Sequence, residues 1–402
     1  MSLIGQQVTV LGAGVAGLAV ARALALRGAV VAVYEQSDAI REVGTGLQVS
    51  PNGACVLRAL GLEQALAAAS LRAAAVELRD GLDGGLITRL EVGRLRPGPG
   101  WHFVHRADLI ALLLQGVQEV GVDLRLLNRV LAVDLAGERP VLQFEDGTSH
   151  ETDLLIGADG LHSPTRAALN GAAAPFFTGQ VAWRAVIAGD GGAAPYNGGV
   201  AEVHLGPGRH LVSYPLRGGR LRNIVAVEER QGWAEESWSL REDPMALRLA
   251  FRGFSPRVRG WLEAVEDVWL WGLFRHPVAQ HWQRALPGVT GSGGAVAILG
   301  DAAHPTLPFL AQGAAMGLED AWVLAAALAA HDNWAAGLAA YQMARQGRVT
   351  RIVEAASRNA RAYHLGGAAR VVAHAGLRLG GWLAPELALR RFDWLYGHDV
   401  TA

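Results

Sequence analysis

At 402 residues the chain is longer than one hydrophobic core usually supports, which predicts two domains or one domain with a large insertion. With 51% hydrophobic and 18% charged residues and a net charge of -1, the composition is typical of a globular protein and argues against a disordered chain or a nucleic-acid partner. All 36 basic residues are arginine, which excludes lysine Schiff-base chemistry, and the single cysteine, Cys55, excludes an internal disulfide and favours a reducing compartment.

The first 35 residues predict a β-α-β unit. Residues 8–11 and 30–34 form apolar runs of strand length, and residues 16–26 between them have the composition of a helix. No cluster of positive charge precedes this apolar stretch, so we interpret it as part of the fold and not as a signal peptide. No later stretch offers about 18 uninterrupted apolar residues without charge, and no membrane span is predicted.

A G-x-G-x-x-G turn lies between the first strand and the helix. Gly12 permits a tight turn, Gly14 lets the backbone approach a pyrophosphate, and Gly17 lets helix and strand pack closely. The helix N-terminus, with Val15 and Ala16, offers N–H groups to phosphates, and Glu35 at the end of the next strand can accept hydrogen bonds from a ribose. The pattern predicts a dinucleotide site and does not decide between FAD and NAD.

Farther along the chain the predicted elements change in character. Residues 178–227 favour alternating, β-rich segments with turns, which predicts a sheet-based substrate domain. Residues 295–299 then predict another buried strand, residues 314–330 a long helix, and the chain after residue 341 is mainly helical in composition. No internal repeat interrupts this order.

Two later segments resemble motifs of a known family. Residues 155–166, LIGADGLHSPTR, match the Asp-Gly motif of the class A flavoprotein monooxygenases, and residues 298–305, ILGDAAHP, match their Gly-Asp motif. The resemblance runs from residue 3 to nearly the end, through WHFVHR at 101–106 and DWLYG at 393–397. In that family both motifs face FAD, which implies that Asp159 and Asp301 contribute to an FAD site.

The resemblance also implies the fold and its division. We expect an α/β fold, with a Rossmann-like FAD-binding domain, an inserted β-sheet substrate domain and a C-terminal helical segment. The expected FAD-binding domain is discontinuous. The expected boundaries are 1–75, 98–175 and 272–345 for the FAD-binding domain, 76–97 and 176–271 for the substrate domain, and 346–402 for the C-terminal region.

Further cofactor contacts are expected around the second motif. Asp301 ends an apolar strand, where its carboxylate can hold a ribityl or ribose hydroxyl, and Pro305 restricts the following loop. The helix that begins near Gly313 and Ala314 can direct its N-terminus to the flavin and stabilise negative charge there. Arg106 contacts the flavin phosphates or ribityl chain by resemblance. A capping role for Asp301 and a surface position for Arg106 stay open as alternatives.

The segment 209–217 carries the candidate catalytic residues. On a strand, His210, Val212 and Tyr214 lie on one face because side chains alternate. The segment resembles the His-x-x-x-Tyr segment on the substrate sheet of the salicylate, 3-hydroxybenzoate and 6-hydroxynicotinate branches of the family, where such residues orient and help deprotonate the substrate. Histidine suits general base chemistry near neutral pH. The alternative is a His-Tyr pair that shares hydrogen bonds in the core.

Gln48 lies in a segment, 43–52, that resembles the family loop beside the isoalloxazine. The 6-hydroxynicotinate enzymes carry a functional histidine at the matched position, and glutamine cannot act as a base, so the salicylate and hydroxybenzoate branches match better. Trp183 is a candidate pocket wall, and Arg184 or Arg217 could hold a substrate carboxylate or lie at the surface. The histidines show no metal-ligand grouping, and no metal is predicted.

The resemblance implies an FAD-dependent monooxygenase that hydroxylates a small aromatic acid, with His210, Tyr214, Gln48 and Pro305 at the reaction centre. A nicotinamide, NADH more than NADPH, would reduce the flavin, and dioxygen would form a C4a-hydroperoxide that an activated ring attacks. A cytoplasmic homodimer is expected. Three alternatives stay open: a 6-hydroxynicotinate 3-monooxygenase, a flavin oxidoreductase that never oxygenates, and a flavin-binding protein without turnover.

Overall fold

The computed structural model describes residues 2–40, 45–94, 97–189, 198–232, 240–288 and 293–402, so residues 43 and 44 of the segment matched at 43–52 lie outside the described residues. The strands in this part of the chain are β1 Gln7–Leu11, β2 Val30–Tyr34, β3 Gly46–Val49, β4 Ser70–Arg72, β5 Ala75–Asp80, β6 Leu86–Leu90, β7 His102–His105, β8 Asp123–Arg125, β9 Val130–Asp134, β10 Val141–Phe144, β11 Ser149–Glu151, β12 Leu154–Gly157, β13 Phe176–Ala188, β14 Val200–Gly206, β15 Arg209–Leu216, β16 Leu221–Glu229, β17 Arg241–Glu242, β18 Val268–Arg275, β19 Gln283–Ala285 and β20 Ala295–Ile298. The α-helices are α1 Val15–Ala25, α2 Pro51–Ala59, α3 Glu63–Ala69, α4 Arg106–Glu119, α5 Pro164–Asn170, α6 Pro244–Ala250, α7 Pro256–Glu263, α8 Gly313–Ala330, α9 Trp334–Tyr363, α10 Gly367–Leu383, α11 Pro385–Arg390 and α12 Asp393–Tyr396.

A six-stranded sheet forms the centre of the first layer. Its order is β19-β20-β12-β1-β2-β8, and all neighbours are parallel except the edge pair β19-β20. β12 and β20 are buried along their whole length, as continuous apolar strands are in parallel sheets covered on both faces. The predicted β-α-β unit is confirmed, with the helix one residue earlier than expected.

Helices cover this sheet and meet at its centre. α1 packs against α4 and α8, and α8 also contacts α2 and α9. Helix α8 is long and apolar enough to cross a membrane by length and composition, but 56% of it is buried inside the protein. A buried core helix passes the same test, so α8 is weak evidence for a membrane span.

An eight-stranded sheet forms the second layer, in the order β17-β18-β13-β16-β15-β14-β5-β6. Its neighbours are antiparallel apart from the parallel pair β5-β14. Alternate residues such as Trp183 and Leu211 pack on α6 and α7 in a separate core, while their sequence neighbours face the opposite side. The predicted β-rich substrate sheet is confirmed, whereas the domain boundaries in the sequence remain a proposal.

Two smaller parts complete the site region. β3, β7 and β4 form an antiparallel sheet in the order β3-β7-β4, which leads directly into α4. After α9, the C-terminal helices return to the protein surface and α12 contacts α2. Leu395 and Tyr396 of α12 are buried, so the DWLYG motif is an anchoring segment of the fold.

Candidate active site

A cavity of about 390 Å³ lies between the two large sheets. Gly14, Ala158 and Gly300, which follow the carboxyl ends of β1, β12 and β20, line one wall. Residues of β13, β15, β16 and β18 line the opposite wall. Ligands of open α/β sheets bind outside the carboxyl ends of the strands, and the volume is in the range of small-ligand sites, roughly 300–1,000 Å³. This cavity is therefore the candidate active site.

The glycine turn has the geometry that its sequence predicts. Gly12 has a φ of +102°, and a Cβ there would lie 2.5 Å from the carbonyl oxygen of Ala158. A Cβ at Gly17 would lie 1.9 Å from the carbonyl oxygen of Gly12. At Gly14, by contrast, a Cβ would meet nothing within 4 Å. Packing therefore requires two of the glycines, and the third leaves open space beside the loop for a ligand.

Helix α1 directs its N-terminus at the cavity. Gly14 is its N-cap residue and provides no side-chain cap, and Val15 and Ala16 line the cavity. The first N–H groups of the helix are thus available to an anion. Glu35 braces the same turn, because its Oε2 accepts a hydrogen bond from the backbone N–H of Ala13 at 2.8 Å.

Arg106 and the Asp-Gly turn line the same cavity as this helix end. Arg106 begins α4 directly after β7 and lines the cavity. The carboxylate of Asp159 accepts hydrogen bonds from the hydroxyls of Ser163 at 2.6 Å and Thr165 at 2.8 Å, while the neighbouring Gly160 lines the cavity. The Asp159 side chain therefore shapes the turn that presents Gly160 to the cavity.

The Gly-Asp segment supplies a carboxylate, a proline and a helix N-terminus. Asp301 lies in a short 3-10 helix after β20, is exposed, and lines the cavity together with Pro305. Although Asp301 is open to the cavity, the surrounding protein desolvates its carboxyl and raises its pKa above the usual value. Helix α8 begins at Gly313 without a side-chain cap, and Gly313 and Ala314 both line the cavity. The segment can hold hydroxyls and a partial negative charge.

A buried ionic network connects the Gly-Asp segment to helices α8 and α9. Asp320 accepts hydrogen bonds from the backbone N–H of Gly300 at 3.1 Å, from Nε of Arg345 at 2.8 Å and from His304. Burial opposes ionisation of Asp320, but the charges of His304 and Arg345 hold its pKa at about 2. The network ties the Gly-Asp loop to α8 and α9, and nothing in the local sequence indicates it.

A second buried network joins the segment before α2 to the start of α8. Asn52 donates hydrogen bonds to Oε1 of Glu319 at 2.6 Å and to Oε1 of Gln312 at 3.0 Å, and Gln312 donates to Oγ of Ser50 at 2.8 Å. Arg348 neutralises Glu319 through two contacts of 2.9 and 2.8 Å. The network thereby fixes the position of the segment before α2 relative to the start of α8, although the two are distant in sequence.

His210 and Tyr214 face the cavity from β15. They line it with Val212, whereas Leu211 packs in the core on the other side of the sheet. The predicted common face is confirmed. Among the described residues His210 does not bond to Tyr214; its Nδ1 contacts Nε2 of His364 at 2.8 Å. The alternative of a hydrogen-bonded His-Tyr core pair is therefore wrong.

Burial keeps both of these side chains in their neutral forms. Desolvation, followed by the nearby His364, lowers the pKa of His210 well below its usual value. Desolvation also raises the pKa of the Tyr214 phenol, despite the opposing charge of Arg184. A neutral imidazole can accept a proton and a neutral phenol can donate a hydrogen bond, so the pair can act on a ligand hydroxyl.

Arg184 provides a positive charge on the cavity wall that β13, β15, β16 and β18 form. It lines the cavity, its guanidinium carbon lies 4.2 Å from the ring centroid of Trp271, and burial lowers its pKa to about 10. Within the described part of the chain, its Nε is buried and has no hydrogen-bond partner. Arg217 instead pairs with Asp108 at 2.9 and 2.8 Å, with 41% of its side chain exposed.

The predicted pocket wall at Trp183 is wrong. Trp183 lies one residue before Arg184 on β13, so its side chain points to the core packed on α6 and α7, where its Nε1 donates to Oε1 of Glu228 at 3.3 Å. Trp271 on β18 lines the cavity in its place. The alternation of this sheet decides between the two tryptophans.

Gln48 enters the cavity from β3. The indole Nε1 of Trp101 donates a hydrogen bond to its Oε1 at 3.0 Å, and Trp101 packs on Tyr396 with ring centroids 4.6 Å apart. The adjacent Gly46 has no room for a Cβ, which would lie 2.9 Å from Tyr214. The segment matched to the family loop thus lies against the candidate catalytic residues.

Comparison with known proteins identifies the first layer. The model of a family described as FAD binding domain matches residues 6–210 and 280–356. These ranges contain β1, α1, the Asp-Gly turn and the Gly-Asp segment, and they extend to His210. The match covers the cavity wall that carries the glycine turns and part of the opposite wall, up to β15.

Relatives cover nearly the whole chain. A 3-amino-4-hydroxybenzoate 2-monooxygenase, PtnB3, of Streptomyces platensis is 34% identical over 98% of this chain and 96% of that protein. A 3-hydroxybenzoate 6-hydroxylase of Polaromonas naphthalenivorans is likewise 34% identical, over 98% and 96%. Among solved structures, Klebsiella pneumoniae HpxO complexed with FAD and uric acid has a TM-score of 0.81 at 25% identity and covers 95% of each chain.

Proposed function

The chain belongs to the FAD-dependent aromatic-ring monooxygenases, and we propose that it hydroxylates a small aromatic acid of the salicylate or hydroxybenzoate type with NAD(P)H and dioxygen. One observation carries the proposal. The cavity has flavoprotein glycine turns on one wall and, on the other, a neutral imidazole, a phenol and the Arg184 guanidinium, whose buried Nε has no hydrogen-bond partner among the described residues. NADH is the expected donor, and a cytoplasmic homodimer remains a prediction.

The residues around the first wall fit FAD. The uncapped N-terminus of α1 and the open space at Gly14 suit the pyrophosphate. Asp301 suits a ribityl hydroxyl, and the N-terminus of α8 suits the flavin ring. The proposed FAD residues are Gly12, Gly14, Val15, Ala16, Gly17, Glu35, Arg106, Asp159, Asp301, Gly313 and Ala314. FAD, when bound and reduced by a nicotinamide, supplies the activation of dioxygen by the route that the resemblance implies.

The protein's contribution to ring activation comes from His210 and Tyr214. His210 is the proposed base, because its imidazole is neutral and faces the cavity. It would take the proton of the ring hydroxyl and so make the ring electron-rich. Tyr214, held as a neutral phenol, would donate a hydrogen bond to the resulting oxyanion. Pro305, on the opposite side, would shape the space beside the reacting carbon.

Arg184 is the proposed partner of the substrate carboxylate. A buried guanidinium without an anion is unfavourable, and a bidentate carboxylate provides both charge and hydrogen bonds. Arg217 already has a carboxylate partner in Asp108 and is exposed at the surface. Since Arg184 and His210 both line the cavity, the geometry supports an aromatic acid that carries a ring hydroxyl.

Hydroxylation of 6-hydroxynicotinate is the second candidate. Gln48 occupies the position matched to a functional histidine of those enzymes, and its amide has no proton-accepting nitrogen. Its oxygen is also engaged by Trp101. The hydroxybenzoate type therefore has more support than the hydroxynicotinate type.

The function is tested by NADH consumption and oxygen uptake of the FAD-loaded protein with salicylate, 3-hydroxybenzoate, 4-hydroxybenzoate and 6-hydroxynicotinate. We expect a benzoate to accelerate NADH loss and to gain one oxygen atom. NADH loss that yields only peroxide with all four compounds would place the substrate outside this class. NADH loss without oxygen uptake would support a non-oxygenating oxidoreductase instead.

A further inference from the structure

A continuous chain of hydrogen bonds leads from the cavity to the protein surface. Nδ1 of His210 lies 2.8 Å from Nε2 of His364, and Nδ1 of His364 lies 2.8 Å from Oε1 of Glu229. His210 and His364 are buried, with 2% and 7% of their surface exposed, whereas the Glu229 side chain is 53% exposed. The three groups come from β15, the end of α9 and β16.

The Glu229 carboxylate determines which ring nitrogen carries the proton in His364 and in His210. A carboxylate only accepts hydrogen bonds, so Nδ1 of His364 carries the proton between it and Glu229. Nε2 of the neutral His364 is then an acceptor, and Nδ1 of His210 must be the donor. Nε2 of His210 is left with its lone pair, as a base requires. Glu229 thereby sets the tautomer of a residue on the cavity wall.

The surroundings of His210 and His364 favour the neutral form of both imidazoles. A neutral imidazole can accept a proton on one nitrogen and release one from the other. Phe309 and Tyr363 pack on the His210 ring at centroid distances of 5.2 Å each, and burial lowers the pKa values of both histidines. The charged and titratable groups on the packed elements include Arg209, which lowers the pKa of His364, Glu229, which raises it, and, on the cavity side, Tyr214, Arg184 and the buried Tyr363.

We propose that His364 and Glu229 form a proton relay that carries the proton of the substrate hydroxyl from His210 to solvent. The proposal rests on the proposed role of His210 as the base. The ring O–H bond breaks and its proton binds Nε2 of His210; the Nδ1 proton of His210 moves to Nε2 of His364; the Nδ1 proton of His364 moves to Glu229 and then to water. No electron is transferred, and one proton leaves the site for each hydroxyl ionised.

The relay is tested by rapid mixing of the oxidised FAD-loaded enzyme with hydroxybenzoates. The probe is whichever of 3-hydroxybenzoate, 4-hydroxybenzoate and salicylate perturbs the flavin spectrum most. Phenolate absorbance reports ionisation of the hydroxyl, and a pH indicator reports proton release. The variants are Glu229→Gln and His364→Gln, which keep hydrogen bonding but cannot pass a proton in this way, with Glu229→Asp as the conservative variant.

We expect ionisation and proton release to slow about 10-fold or more in Glu229→Gln and His364→Gln, with ligand affinity nearly unchanged. In His364→Ala, added imidazole should restore the rate, which a merely structural role would not explain. Glu229→Asp should retain most of the rate. Glu354→Gln is the matched control, because Glu354 is also exposed, at 62%, and pairs with Arg358 on α9 outside the relay.

The outcomes separate the relay from the proposed function. If His210→Gln ionises the ligand as fast as the wild type, His210 is not the base, and both proposals fail. If His210→Gln is slow while Glu229→Gln and His364→Gln match the wild type, only the relay is overturned. FAD content and the thermal unfolding midpoint of each variant show whether a slow rate reflects a damaged fold.

Discussion

The indole nitrogen of Trp101 donates a hydrogen bond to the side-chain oxygen of Gln48 at 3.0 Å. An indole N–H cannot accept a hydrogen bond, so this contact identifies the oxygen of the Gln48 amide; within the described ranges of the chain, no hydrogen bond engages its NH2 group. Because Gln48 lines the cavity, the NH2 group is a hydrogen-bond donor for a ligand there. Trp101 and Tyr396 therefore connect the C-terminal segment to the chemistry of the cavity.

Removing the indole donor is expected to weaken substrate binding. Trp101→Phe keeps the aromatic packing on Tyr396 but releases the Gln48 amide, at a cost of about 1 kcal/mol. We expect KM for the aromatic acid to rise ~5-fold with little change in FAD content. Trp322→Phe is the control, since Trp322 lies on α8 and its ring packs against Arg27. An unchanged KM in Trp101→Phe would show that the amide orientation is immaterial.

The assignment of the carboxylate partner predicts different effects for two arginines. Arg184→Gln should weaken binding of a hydroxybenzoate by about 2 kcal/mol or more, which is ~30-fold, because the buried carboxylate loses its charge partner. Binding of the corresponding phenol without a carboxylate should change little. Affinity is measured from the flavin absorbance change on titration.

Arg217→Gln is the matched control for this test, because Arg217 is paired with Asp108 at the surface. It should bind both ligands as the wild type does. If the two arginine variants behave alike, or if Arg184→Gln loses the phenol as severely as the acid, Arg184 does not bind the carboxylate.

The glycine turn offers a test of FAD placement that is independent of turnover. A methyl group at Gly14 meets no protein atom within 4 Å, and the φ of Gly14, -75°, suits alanine. Gly14→Ala should therefore leave the unfolding free energy of the apoprotein unchanged and lower FAD affinity ~10-fold or more, through contact with the pyrophosphate. Gly376→Ala, at another open position, should leave FAD affinity unchanged. Wild-type FAD affinity in Gly14→Ala would contradict the placement.

The ionic network behind the Gly-Asp loop should contribute strongly to stability. Arg345 is 1% exposed and is the cation between Glu319 and Asp320. Arg345→Met leaves both carboxylates buried without the positive charge of Arg345. We expect the free energy of unfolding, measured in urea, to fall by about 3–5 kcal/mol. Arg358→Met, at a pair with 63% and 62% exposure, should cost less than about 1 kcal/mol. Equal losses in the two variants would refute this account.

The buried histidine of the cavity predicts a pH dependence of stability. The pKa of His210 is lower in the folded protein than its ordinary value of about 6.5. Between these two values the unfolded chain binds the proton more readily, so stability is present above pH 6.5 and is lost as the pH falls below it. Replacing His210 with glutamine should remove this part of the loss. The measurement compares urea unfolding of wild type and His210→Gln between pH 7.5 and 5; parallel curves would contradict the prediction.

The sequence predicts those parts of the site that depend on local geometry. Gly12 and Gly17 belong to one turn, and their spacing alone indicates strand, turn and helix. The common face of His210 and Tyr214 follows in the same way from the alternation of a strand. Such patterns can be predicted from the sequence because the residues that form them are close together in the chain.

Long-range contacts explain what the sequence does not predict. His364 is 154 residues from its partner His210, and as one histidine among thirteen it carries no local signal. The choice between Arg184 and Arg217 depends on burial, which is a property of the assembled sheets. The carboxylate of Asp159 bonds within its own turn, a detail that depends on how residues 159–165 are folded.

The most direct test of the central claim is incorporation of labelled oxygen. FAD-loaded protein is supplied with NADH, ¹⁸O₂ and the hydroxybenzoate that best accelerates NADH oxidation, and the product is analysed by mass spectrometry. The account predicts a dihydroxybenzoate with one ¹⁸O atom from dioxygen, and loss of this product in His210→Gln despite retained FAD. A product whose added oxygen comes from water, or NADH oxidation by FAD-loaded protein that leaves every hydroxybenzoate unchanged, would contradict it.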